Sequence, residues 1–165
     1  MTIALALLQL ITAVDAFPER TIEPPAAVEA FTATCWRGLR NPALFHAAVT
    51  ASPLHFQPAA TEHGGERYRA ETADVHYNPA DRICSMTFRV ADAAAANRFV
   101  EGLTERLGLG APEQGWILDR GSRQYRWADV PIDELNYLLE AEADIAADGR
   151  RPVDVQLFLG FSRRL

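Results

Sequence analysis

The feature that most constrains this chain is the two-residue alternation of segment 82–90, which sets Cys84, Met86, Phe88 and Val90 on one side and Ile83, Ser85, Thr87 and Arg89 on the other. Successive side chains of a strand point to opposite faces, so the pattern specifies a strand with one dry face and turns Cys84 inward. The same alternation returns near the C-terminus, where Val153, Val155, Leu157, Leu159 and Phe161 follow the hairpin-type dipeptide Asp148-Gly149. A sheet with one apolar face has to bury it against a second layer.

Three segments supply that layer. Residues 26–37 bring Val28, Phe31 and Cys35 onto one helical stripe. Asn41-Pro42 pairs an N-cap residue with proline at the first helical position, and Leu44, Phe45, Ala48 and Val49 continue an apolar face to about residue 51. Asp92 caps a helix over 92–107 that carries Phe99, Val100, Leu103 and Leu107 before Gly108 ends it. Between these helices and the strands, Pro53 and Pro58 bracket an irregular stretch, His63-Gly64-Gly65 reads as a turn, and 66–77 reads as one broken strand. Residues 110–115 read as a loop, and 116–119 and 123–128 as a hairpin around Arg120-Gly121-Ser122. Segment 135–145 carries two periods. Leu135, Leu138, Leu139 and Ile145 fit a helix, while Tyr137, Leu139, Ala141, Ala143 and Ile145 alternate with Glu140, Glu142 and Asp144 as in a strand. Propensity favours helix, and the strand that follows Asp148-Gly149 favours a strand partner. The expected fold is a single α+β domain, a mainly antiparallel sheet with helices packed on one face.

With 165 residues, 48% of them hydrophobic and 23% charged, the chain can build this core without a metal or a dense disulfide framework. Its 22 acids against 16 bases give a net charge of -6, which opposes non-specific attraction to nucleic acid and to anionic membranes. Every base is arginine, so chemistry that needs a Schiff-base or phosphate-loop lysine is excluded for these residues. The apolar run 3–14 is too short to cross roughly 30 Å of hydrocarbon and suits the hydrophobic region of a secretory signal, with Val14-Asp15-Ala16 placing a small residue before a cut that leaves Phe17 first. Met1-Thr2 carries no basic residue, and a buried N-terminal helix is the competing reading. The expected organisation is a signal peptide over 1–16 and one domain over 17–165, delivered to the periplasm or secreted. No transmembrane segment is expected.

Cys35 and Cys84 lie 49 positions apart, with none of the close spacing that metal ligands or a redox dithiol use. In an oxidising compartment a bridge between them would stabilise the fold by roughly 4 kcal/mol on the chain-entropy model. Two separate buried thiols are the alternative.

Signals for chemistry are sparse. Cys35 with His46 could form a thiol nucleophile and base, yet no glycine-rich oxyanion loop precedes the thiol and a disulfide would abolish it. His63-Gly64-Gly65 lacks the G-x-S-x-G elbow that an esterase needs. His55, His63 and His76, with Glu62 and Glu66, show no one-face metal spacing, and no metal or other cofactor is expected. Glu140, Glu142 and Asp144 read as a solvated strand face rather than a pair of catalytic carboxylates. The most distinctive cluster is Arg120, Arg123, Tyr125, Arg126 and Trp127, with Trp116 on the preceding strand. Alternation sets Arg123, Tyr125 and Trp127 on one face, where a guanidinium stacked on aromatic rings could still present its planar donors to an anion. Arg123, Tyr125, Arg126 and Trp127 are the candidate ligand site. In the competing reading the aromatics complete the core and the arginines pair with surplus acids.

A cysteine on the first helix, a proline-led second helix, a strand with the second cysteine, and an Ala-rich helix ending in Gly108-Leu109-Gly110 together resemble a group of small exported bacterial proteins of unknown function, over residues 31–165. The resemblance implies a periplasmic protein and lends no catalytic residues. The expectation is a non-catalytic binding or interaction module for an anionic small molecule or an envelope protein, with no nucleic-acid partner. A small hydrolase or thiol enzyme built on Cys35 and a histidine is the alternative.

Overall fold

The computed structural model describes residues 18–61, 64–117, 121–145, 149 and 151–161; the expected signal peptide and Phe17 lie outside them. The first helix, α1 (Pro24–Phe31), opens with two prolines and runs without a break into a π turn over Thr32–Trp36. Helix α2 (Pro42–Ala51) begins where expected, with the Asn41 side chain accepting from the Ala43 N–H at 3.0 Å. Helix α3 (Ala93–Leu107) is capped by Asp92, which accepts from the Ala95 N–H at 2.7 Å, and stops at Gly108, whose φ of 63° is one that glycine adopts without a Cβ penalty.

Eight strands make one antiparallel sheet in the order β1-β2-β3-β4-β8-β7-β6-β5. They are β1 (Gln57–Ala59), β2 (Glu66–Arg69), β3 (Ala73–Asn78), β4 (Ile83–Val90), β5 (Glu113–Ile117), β6 (Ser122–Ile132), β7 (Leu135–Asp144) and β8 (Val153–Phe161). The molecule is therefore an α+β domain, as the alternation predicted. Segment 135–145 resolves as strand β7, with Tyr137, Leu139, Ala141 and Ala143 buried between β6 and β8. A helix would satisfy its own backbone equally well, so what decides for strand is the place between β6 and β8, where the alternating side chains bury one face against the helical layer.

Three expectations need correction, and the first is the loop over 110–115, of which residues 113–115 belong to strand β5 and pair with β6. Segment 66–77 is not one broken strand but a hairpin, β2 and β3, closed by an Ala70 N–H bond to the Ala73 carbonyl at 2.8 Å. The irregular stretch bracketed by Pro53 and Pro58 ends in β1, three residues long with Pro58 at its centre and added to the sheet beside β2.

Registers align the buried face in rows. One row runs Tyr68, Val75, Met86, Leu157, Ala141, Tyr125, and the next runs Tyr77, Cys84, Leu159, Leu139, Trp127. The helices cover this face, with Phe99 of α3 edge-on to Phe88 at 4.8 Å and Phe45 of α2 stacked on Tyr77 at 3.9 Å. Cys35 in the π turn is disulfide-bonded to Cys84 in β4, with Cα atoms 5.3 Å apart. The other face of the sheet is polar. There the buried carboxylate of Asp74 accepts from Arg67 Nη2 at 2.8 Å and from Arg69 Nε at 2.9 Å, and Arg89 Nε donates to Asp154 at 2.6 Å.

Candidate functional site

The β5–β6 hairpin forms as expected, but its aromatic and basic residues are divided between the two faces of the sheet. Tyr125 and Trp127 lie in the core, 2% and 5% exposed. The Tyr125 hydroxyl donates to Asn97 Oδ1 on α3 at 2.9 Å, and Trp127 Nε1 donates to the Gly110 carbonyl at 3.1 Å, so both polar tips are already satisfied by the α3 end of the helical layer. Arg126 points to the opposite face. Register places it between Glu113 and Glu140, and its Nε lies 3.6 Å from Glu140 Oε1. Of the four candidate ligand residues, only Arg123 remains available on the inner face, half-buried and directly opposite Trp116 of β5. Its guanidinium has no ion pair or hydrogen bond among the described residues. Trp116, on the edge strand, is 48% exposed. Arg120 lies outside the described residues.

The reason for this division is register. Alternation predicted Arg123, Tyr125 and Trp127 on one face, and they are. Both rows end on β5, but Tyr125 lies where its hydroxyl meets Asn97 of α3, whereas Arg123 is paired with the exposed Trp116 and makes no bond to the helical layer among the described residues.

The remaining sequence candidates are dispersed. Cys35 is held in the disulfide and has no thiolate to offer, and His46 Nε2 donates instead to Glu66 Oε2 at 2.7 Å. His76 Nε2 donates to the Gly64 carbonyl at 2.8 Å and His55 is exposed, while Glu62 and His63 lie outside the described residues. Among the described residues, no three His, Cys, Asp or Glu side chains converge as a metal-binding group. Glu140, Glu142 and Asp144 line the polar face, where Glu142 Oε1 accepts from the Ser122 hydroxyl at 2.6 Å and Asp144 stands opposite Asp154.

One cluster was invisible in the sequence. Glu66 of β2 accepts from the Tyr68 hydroxyl at 2.7 Å as well as from His46 of α2, tying that helix to the hairpin. The Tyr68 bond lowers the Glu66 carboxyl below its usual range, against the opposing pull of burial and with the help of His46. Burial, followed by the bond to Glu66, pushes the Tyr68 phenol up to about 12. His46 and Glu66 are 20 positions apart, so no local spacing could have paired them.

No helix among the described residues is long and apolar enough to cross a membrane. No protein family, characterised protein or solved structure matches the chain.

Proposed function

We propose that this chain is an exported, non-catalytic binding domain, disulfide-stabilised in the periplasm or outside the cell, and that the free edge of its β5–β6 hairpin recognises an anionic group on its ligand or envelope partner. The observation that carries the reading is Arg123, half-buried, free of any ion pair among the described residues, and set opposite the exposed ring of Trp116. A guanidinium beside an aromatic face makes charge-assisted, planar contacts to a carboxylate or phosphate in a setting less wet than open surface. The edge itself adds to this. Strand β5 has five residues with neither proline nor lysine, so its outward N–H and C=O groups can accept a further strand. The Cys35–Cys84 disulfide supports export, because such bonds persist in oxidising compartments.

The test is co-purification from the periplasmic fraction. Arg123→Ala is expected to weaken binding of the captured ligand by about 2 kcal/mol or more, and Arg123→Lys nearly as much, since lysine lacks the planar fork. Trp116→Ala should weaken binding too while changing stability by no more than about 0.5 kcal/mol. A lysine variant with full affinity refutes the planar contact. An N-terminus that begins at Met1 in protein from the cytosol refutes export.

A further inference from the structure

We propose a second site, independent of the hairpin: the groove between α2 and the wall formed by α1 and its π turn binds a single-chain amphiphile, an apolar tail with an anionic head of the long-chain carboxylate class. The first observation is α2 itself. Its sequence, Pro-Ala-Leu-Phe-His-Ala-Ala-Val-Thr-Ala, has no Asp, Glu, Arg or Lys, yet only Phe45 and Val49 are buried. Leu44 is 52% exposed. A surface helix ordinarily turns charged side chains to water, and this one turns apolar side chains outward.

That outward face is one wall of a cavity of about 460 Å³, a size typical of small-ligand sites. Ala48 and Ala51 of α2 face Ala30 of α1 and Ala33 of the π turn across it. The small side chains leave room for a chain of methylenes. The hydroxyls in the wall are turned to the backbone: the Thr34 hydroxyl donates to the Ala30 carbonyl at 2.7 Å, and the Ser52 hydroxyl accepts from the Leu54 N–H at 3.2 Å. An extended peptide in the groove would bring a row of backbone N–H and C=O groups to a lining that is mostly alanine, leucine and proline, whereas an aliphatic tail brings none.

Two charged residues border the cavity besides this apolar lining. Glu29 is engaged by Arg106 Nη2 at 3.2 Å. Arg37, at the end of the π turn, is exposed, and its guanidinium makes no ion pair or hydrogen bond among the described residues. An anionic head over Arg37 complements it and fixes the polarity of the bound chain. The π turn sets the position of that wall, and its disulfide to β4 ties the wall to the sheet, so the groove is held open without its ligand.

Calorimetric titration of the purified protein with octanoate, decanoate and dodecanoate, each below its micelle concentration, tests this. The expected result is one saturable site whose affinity rises about fourfold per added methylene until the groove is full. Arg37→Ala should weaken dodecanoate binding at least tenfold and leave dodecanol binding unchanged. Ala48→Trp fills the groove and should abolish binding with an unchanged thermal midpoint; Ala33→Leu narrows it from the other wall and serves if the tryptophan variant does not fold. Absence of saturable binding, full binding by a folded groove-filling variant, or equal loss of dodecanoate and dodecanol in Arg37→Ala overturns the proposal. A wild-type dimer that Ala48→Trp converts to monomer also overturns it, by assigning the groove to a second copy.

Discussion

The two ends of the sheet are finished in different ways. At the β1 end, Phe45 is wedged between α2 and the sheet, the Tyr77 hydroxyl donates to the Gly38 carbonyl at 3.0 Å, and the disulfide fixes the π turn to β4. Gly38 is required there, since a Cβ would come within 2.6 Å of Phe45 Cβ and 2.8 Å of its Cα. The edge strand is three residues long with Pro58 at its centre, a form that discourages further pairing. At the β5 end, two hydrogen bonds from Tyr125 and Trp127 hold the hairpin to α3 and its following loop, and the edge strand is longer, free of proline and marked by an exposed tryptophan. The contrast sets an end closed by a disulfide, stacked rings and a buried hydrogen bond against one held by two hydrogen bonds, and it predicts the lower local stability at the β5 edge.

The largest expected effect is that of removing the disulfide. Cys35→Ser with Cys84→Ser should cost roughly 4 kcal/mol of unfolding free energy in urea. Hydrogen exchange in the same protein should rise most in the π turn, α2 and β3, and least in β5 and β6. An equal rise at both ends would break the contrast. Next come two of the buried tyrosines, Tyr77 and Tyr125. Tyr77→Phe leaves the carbonyl of a buried glycine without its donor and should cost about 1–2 kcal/mol, whereas Tyr125→Phe frees an exposed Asn97 that water can satisfy and should cost less than about 1 kcal/mol. A reversed order in chemical denaturation would show that the β5 end is the more tightly held.

The smallest effect depends on pH. Because the folded protein lowers the Glu66 carboxyl below its reference of 4.5, its contribution is fully present above that value and is lost as pH falls through the lower folded one. Tyr68 works at the other extreme: with its phenol raised from 10.0 to about 12, its contribution is present below pH 10 and disappears as pH climbs toward 12. Both groups are partly exposed and share one hydrogen bond, so the effect is modest and is counted once. Glu66→Gln should flatten the acid side of a plot of urea midpoint against pH. An unchanged acid slope would place the acid sensitivity elsewhere in the molecule.

Local chemistry was readable in the sequence wherever one segment carried its own signal. Asn41-Pro42 and Asp92 start helices because capping needs only neighbours within a few residues, Gly108 stops one because only its own φ matters, and the alternation through Cys84 and through Leu157 declares a buried face without reference to a partner. The cysteine pairing was also legible, since there were just two thiols to join. What depended on a distant strand or helix was not. Segment 135–145 carried both periods, and its place between β6 and β8 decided for strand over its helical propensity. The hairpin cluster had its alternation right and its exposure wrong, because whether Arg123 or Tyr125 meets water depends on where α3 lies across the sheet. His46 and Glu66 meet only because α2 folds back over β2, and the groove beside α2 exists only because a π turn and a disulfide hold the facing wall. Propensity and patterning act over a turn or a strand, while exposure, pairing and cavities arise between elements, and that is where the tertiary structure decided.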